Sequence, residues 1–291
     1  MMTNVAKTYG CLFCVAYIDI LGIKEELKKY FGIDPFFDKK LREEFESVFG
    51  DQLEFIKCFR GNFQDYFNDQ RENGEFSINF NIVSDSIIAY IPIGSDYYQK
   101  SNHSTILKKI YYLMKTVGFM FIQSLMLERC FRAGFDIGMG KIENENEIFG
   151  PALIQAYLLE NKKVDFFRIN IGAEIIKYLN IQKKGNRSED GQSDQDIEEC
   201  KIYANKCIKL LKTDSDGAFI DILNIEFIKD WKKAEKYRNE CSFPQILLDS
   251  IAFLKREATN PAFCDKIKTR YRNLLKYFEN HPEVKKLYRK L

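Results

Sequence analysis

Histidine is almost missing from this 291-residue chain: His103 and His281 are the only two. A metal centre built on several imidazoles is therefore excluded, and so is hydrolase chemistry that needs a histidine base beside its nucleophile, because neither histidine has such a setting. Charge of one sign is also lacking. Forty-four Lys and Arg face 42 Asp and Glu, a formal net charge of +2, which gives no electrostatic reason to expect nucleic acid or a membrane surface as partner. No run of about 18 apolar residues occurs, so no bilayer-spanning helix is expected, and the segment around 117–127 is interrupted by Gln123. The start, MMTNVAKTYG, lacks the basic, apolar and small-residue regions of a secretory signal. Eight cysteines are too few for a disulfide scaffold of this length, and a reduced, cytoplasmic protein is the expectation.

What is present is a chain rich enough in apolar side chains (45%, with 14% aromatic) to bury a large core. Cys11 to Ile18 reads as a strand apolar on both faces, as in a central strand covered on both sides. Cys11 and Cys14 form a CxxC, but spacing of three along a strand sends the thiols to opposite faces, and no second CxxC follows. They read as packing residues rather than zinc or redox ligands. Ile20-Leu21-Gly22 turns the chain into a charged helix, and a helical pattern continues over 39–70. Strands are expected over 75–83 and 86–93, a helix over 103–128, and a glycine-bearing strand over 131–142, whose Gly134, Gly138 and Gly140 suggest bending or close backbone approach.

Gly150-Pro151 opens a helix to about 161, followed by a strand over 166–171 and a helix over 173–180. The polar run 182–197 reads as a disordered insertion loop. Beyond it a helix (198–212), a strand (218–223) and two helices (about 244–257 and 262–279) are expected. Residues 225–291 hold 16 basic and 9 acidic side chains, so the remainder is mildly acidic; the cations are spread over helical faces and read as solvated surface. Phe219-Ile220-Asp221-Ile222-Leu223 echoes Tyr17-Ile18-Asp19-Ile20-Leu21 but lacks the following glycine, and reads as a chance strand pattern ending in an edge acid.

The strongest chemical constellation is Asp19 and Asp85, two acids at strand ends among apolar neighbours. An isolated carboxylate there is costly to keep ionised. Two that converge from adjacent strands can share divalent cations, and hard oxygen donors suit magnesium or manganese. Such a pair supports phosphoryl transfer, with backbone N–H groups of the Leu21-Gly22-Ile23 turn offered to phosphates. Two aspartates merely capping turns remain the plain alternative.

Tyr17-Ile18-Asp19-Ile20-Leu21-Gly22 resembles the first motif of class III nucleotide cyclase catalytic domains, and is similar in particular to the bacterial pyrimidine cyclases of the Pycsar anti-phage system. Val83-Ser84-Asp85-Ser86-Ile87 resembles the second metal motif, and Phe131-Arg132-Ala133-Gly134-Phe135-Asp136-Ile137-Gly138 the arginine–glycine strand. The segment from Phe149 to Glu160 resembles the late helix, and Phe166-Phe167-Arg168-Ile169 lies where the family tends to have Pro-Arg-Ile. Asp214-Ser215-Asp216-Gly217 fits its carboxy-terminal part.

The resemblance implies an α+β fold: a palm-like, ferredoxin-like sheet flanked by helices over 8–181, then the insertion, then a mainly helical extension over 198–291 packed on the same domain. It implies a homodimer with sites at the interface, converting UTP or CTP to cyclic UMP or cyclic CMP and pyrophosphate with two Mn2+ or Mg2+ ions, as an anti-phage signal read by a separate effector. Asp19, Asp85 and the Ile20 carbonyl are then the metal ligands. Leu21, Gly22, Ile23 and Lys24 hold the β- and γ-phosphates. Asn81 stands where purine enzymes have a base-reading lysine, and Glu147 aligns with their other base-reading acid. Glu147 also reads simply as exposed surface. Arg132, Tyr157 and Arg168 are candidates for the transition state or the dimer site; for the arginines the alternative is buried ion pairing with Glu160 or Asp136, and for Tyr157 it is core packing. One departure stands out: Ile154 and Leu158 occupy the positions of the family's transition-state asparagine and arginine. That leaves a catalytically silent, cyclase-like binding module as the second reading.

Overall fold

β1 (Cys11–Ile20) is the hub of the sheet, antiparallel to β3 (Ser86–Pro92) on one side and to β4 (Phe131–Glu143) on the other. Cys14, Ala16, Ile18 and Ile20 enter the main core, while Cys11, Phe13 and Val15 enter a smaller cluster on the opposite face. The two CxxC cysteines thus part to opposite faces, both buried, and burial raises the Cys14 thiol pKa far above its ordinary value. The computed structural model describes residues 11–20, 39–69, 78–83, 86–93, 103–143, 147–185, 193–229, 231 and 242–289.

Along the chain come β1, α1 (Lys39–Asp69), β2 (Asn79–Val83), β3, α2 (His103–Met126), β4, β5 (Glu147–Phe149), α3 (Pro151–Glu160), β6 (Ile169–Ile171), α4 (Ala173–Lys184) and α5 (Asp194–Lys209). They continue with β7 (Leu211–Asp214), β8 (Gly217–Ile220), α6 (Phe243–Thr259), α7 (Asp265–Asn280) and α8 (Pro282–Tyr288). The sheet order is β2-β3-β1-β4-β6-β8-β7, with β5 pairing β4 off that path. The first four strands, β2-β3-β1-β4, interleave two split βαβ units in the ferredoxin-like manner. The fold is α+β, as expected, with a helical carboxy-terminal part.

Among the described residues the two faces of the sheet are covered by different elements. On one face lie α1, through Ile56, Phe59 and Phe63, and α2, buried from Ile106 almost continuously to Leu125 because it is apolar nearly all round. α4, α5, α6 and α7 add to the same core. On the other face, among the described residues, the cluster over β1 and β3 is closed by α3 and β5, through Ala152, Ala156 and Ile148.

α3 can lie on β4 because of glycine. A Cβ at Gly134 would stand 2.1 Å from the Ala156 carbonyl oxygen, and one at Gly138 would stand 3.0 Å from Ala152 Cα. The close backbone approach expected from these glycines is therefore what the strand provides. α4 begins at Gly172, which has no side chain to cap it. Asp136 of β4 substitutes, accepting from Ile175 N at 3.1 Å and from its own neighbour Ile137 N at 2.9 Å. An anion suits this helix N-terminus.

Several boundaries differ from the sequence expectation. The polar run 182–197 is partly helical: α4 extends to Lys184 and closes on a left-handed Gly185, and α5 starts at Asp194, capped by the Ser193 side chain, which accepts from Asp196 N. Residues 186–192 lie outside the described residues. The helix expected to reach 212 stops at Lys209, because Leu211–Asp214 pairs with Gly217–Ile220 as a hairpin. The strand expected over 166–171 is only Ile169–Ile171; Phe166 stacks on Tyr277, and Phe167 meets Tyr271 edge-on. β8 ends before Asp221, whose carboxylate accepts from the buried Tyr277 hydroxyl. α8 was not foreseen.

Candidate active site

The face where α3 packs carries a line of polar groups across three strands. In the sheet register Asp19 is paired with Ser86 on one side and Arg132 on the other, so all three side chains project to the same face. Ser86 Oγ donates to Asp19 Oδ1 at 3.1 Å, and the Tyr17 hydroxyl lies 3.0 Å from Ser86 Oγ. With the serine proton committed to the carboxylate, Tyr17 is the donor in the second bond. Burial, followed by the charge of Asp19 and of Glu160, raises the Tyr17 pKa, which keeps this relay protonated and pointing at Asp19. Tyr17 in turn is met edge-on by the ring of Tyr157 from α3, with centroids 5.4 Å apart.

On the other side of Asp19, Arg132 Nη2 stands 3.4 Å from Asp19 Oδ2 and 2.6 Å from Glu160 Oε1. Glu160 ends α3, and its side chain is 1% exposed. The ion pair between Arg132 and Glu160 anticipated in the sequence is present; the one with Asp136 is not, since Asp136 caps α4. Arg270 of α7 approaches the same charges. Its pKa is lowered first by burial and then by the charge of Arg132, while Glu160 acts in the opposite sense.

The remaining expected residues separate into three groups. Asp85, Leu21, Gly22, Ile23 and Lys24 lie outside the described residues. Val83 pairs with Ser86, so Ser84 and Asp85 are the two residues that join β2 to β3. Ile20 closes β1, buried, opposite Phe131.

Asn81 comes to the right face. It pairs with Ile88, which pairs with Tyr17, two strand spacings and two residues from Asp19, about 12 Å by strand geometry.

Two residues do not join Asp19 within one chain. Glu147 is exposed and pairs with Glu143 at the far end of β4, eleven residues along the strand from Arg132 and so about 35 Å away. Arg168 is buried but directed elsewhere: Nη1 pairs with Asp214 Oδ2 at 2.5 Å and Nε donates to Asn170 Oδ1 at 2.8 Å, with the rings of Phe219 and Phe166 on its flanks. Asn170 then donates to the Leu159 carbonyl at 2.9 Å. Arg168 thus ties the β7–β8 hairpin to the last turn of α3, and so helps to fix Glu160.

Sequence reasoning quoted Ser86, Tyr17 and Glu160 as motif members without assigning them to the site, and missed Arg270. The signal for the first two was available, since Tyr17 stands two residues before Asp19 on one strand face and Ser86 directly follows Asp85. No local pattern marks Arg270, which arrives from a distant helix.

No protein-family model matches this sequence, and no curated sequence does. Among solved structures, the adenylyl cyclase CyaB from P. aeruginosa aligns with 64% of this chain and 91% of its own, at 15% identity and a TM-score of 0.38. At that similarity nothing about activity follows, and the chemistry has to be argued from the residues.

Carboxylate oxygen is the donor that Mg2+ and Mn2+ prefer, and Asp19 is oriented for such a role by Ser86. Among the described residues no group of three or more His, Cys, Asp or Glu could hold a metal ion. Also among the described residues, no helix is long and apolar enough to cross a membrane.

Proposed function

We propose that this protein is a nucleotide cyclase of the class III type acting on a pyrimidine nucleoside triphosphate, UTP or CTP, and yielding the 3′,5′-cyclic monophosphate and pyrophosphate. The observation that carries the reading is Asp19 at the end of the central strand, held by Ser86, the residue next to Asp85, on the sheet face where α3 packs. Two acids that share divalent cations suit the binding of a triphosphate. When bound, Mg2+ or Mn2+ would supply charge neutralisation at the phosphates and activate the ribose 3′-hydroxyl.

Asp19 and Asp85, with the Ile20 carbonyl, would hold those ions. The backbone of Leu21 to Lys24 would orient the β- and γ-phosphates. Ser86 and Tyr17 keep the Asp19 carboxylate aimed. Asn81, whose amide both donates and accepts, is at a suitable reach to read a pyrimidine edge. Glu147 would take part only from a second copy of the chain. The outward face of α3 supports such a homodimer: Ile154 is 57% exposed and Leu158 60%, with Tyr157, Phe149 and Met139 exposed in the same region. A cyclic nucleotide so made would serve as an anti-phage signal for a separate effector.

Those same exposed positions favour the second reading. Ile154 and Leu158 replace the polar pair that the resemblance would place there, so a silent nucleotide-binding module of the same shape is the alternative.

The deciding experiment incubates the purified protein with each of the four NTPs and Mn2+ and resolves the products by mass spectrometry. Cyclic UMP or cyclic CMP, lost in Asp19→Asn, is the expected result. Absence of any cyclic product from all four would overturn the enzyme reading and leave the binding module.

A further inference from the structure

Arg132 places one nitrogen between two carboxylates. Its Nη2 forms a close ion pair with Glu160 Oε1 (2.6 Å), without hydrogen-bond alignment, and donates a long hydrogen bond to Asp19 Oδ2 (3.4 Å). Its Nε is buried with no hydrogen-bond partner among the described residues, so the guanidinium is held at one end and not locked in a fork.

Glu160 is the fixed partner. It is nearly inaccessible, it ends a helix where the dipole disfavours a carboxylate, and a buried charge of that kind persists only when paired. Asp19 is the more open of the two, with its side chain 24% exposed. A small rotation about the Glu160 contact would release Asp19 and keep the buried pair intact.

We propose that Arg132 is a two-position counter-ion: it screens Asp19 when no divalent cation is bound there, and it withdraws fully onto Glu160 when one binds. The proposal rests on the reading of Asp19 as a cation ligand. Glu160 then acts as a positioning residue that never touches the metal. It raises the affinity of Asp19 for a cation by holding away the guanidinium that competes for the same oxygen. Without Glu160, the carboxylate that remains paired with Arg132 among the described residues is Asp19.

Mn2+ titrations of the full chain, by calorimetry and by the electron paramagnetic resonance signal of free Mn2+, test this without reference to turnover. Asp19→Asn should abolish binding. Glu160→Gln should weaken it about tenfold, within the ordinary range for coupled sites. Arg132→Met should tighten it, and Glu160→Gln should have no further effect once Arg132 is Met.

An unchanged affinity in Glu160→Gln overturns the proposal, as does a weaker one in Arg132→Met or an equal loss with and without Arg132. Binding that survives Asp19→Asn would overturn the cation assignment as well, a separable result. Where a single variant fails to fold by circular dichroism, the double variant decides, since removing both members of a buried pair is tolerated better than removing one. Affinity at or above wild type supports the proposal, and a weaker one ends it.

Discussion

Ser86 joins Tyr17 to Asp19: the tyrosine hydroxyl lies 3.0 Å from Ser86 Oγ, which donates to the Asp19 carboxylate at 3.1 Å. Residues two apart on a strand share a face, and the serine comes from the adjacent strand in direct register with Asp19. The orientation of the acid is therefore set by strand pairing.

Ser86→Ala removes that orientation without introducing a charge. Ligand-orienting groups of this kind typically contribute about 10- to 100-fold. Turnover in the proposed cyclase reaction is expected to fall by that factor with little change in melting temperature. Wild-type turnover in the variant would show that Asp19 needs no support from β3.

Gly134→Ala should act on stability instead. The new Cβ would stand 2.1 Å from a backbone oxygen of α3, and backbone cannot swing aside as a side chain can. Overpacking of this sort costs about 1–3 kcal/mol. A denaturant midpoint clearly below wild type is expected, and an unchanged midpoint would mean that α3 is not seated on β4.

The face of α3 that points outward is open to a charge-reversal test. Ile154→Lys with Leu158→Lys should convert a dimer to a monomer in size-exclusion chromatography with light scattering. Since both side chains are more than half exposed, the melting temperature of the subunit itself should change little. A dimer that persists places the interface elsewhere.

Asn81 substitutions address the base. Asn81→Asp removes the donors of the amide and keeps an acceptor, so the ratio of UTP to CTP turnover should shift. A ratio identical to wild type would remove Asn81 from the pocket.

His281 predicts a pH effect away from the site. Burial lowers its pKa, with Lys212 and Lys286 acting in the same direction and Asp221 and Glu283 opposing. The folded state thus binds this proton less readily than the unfolded chain, so stability is full above the ordinary histidine value of 6.5 and falls as the pH drops below it, down to the lowered folded value. Chemical denaturation between pH 8 and pH 5 should show a smaller loss for His281→Gln than for wild type. Parallel curves would place the titration elsewhere.

Much of this was legible along the chain because strand and helix periodicity are local properties. The two-faced β1, the glycines of β4 and the polar break before α5 all announce themselves in short windows of sequence. The β7–β8 hairpin did not, because Leu211 to Asp214 continues a helical pattern and becomes strand only by pairing with Gly217 to Ile220. Phe166 and Phe167 likewise read as strand, and leave it because aromatic partners from α7 are available.

The sequence by itself determined that β1 would be central and that it would deliver an acid at its end, since an apolar run stopping at Asp19 permits little else. Its two histidines also gave no reason to expect a multi-histidine metal centre. Only the tertiary structure decided which groups surround that acid. Ser86, Arg132, Glu160 and Arg270 come from four other elements, and register and packing are properties of pairs of segments far apart in the chain. The same physics placed Glu147 and Arg168 away from Asp19: one sits at the far end of a long strand, and the other is satisfied by Asp214 across a hairpin that no local pattern revealed.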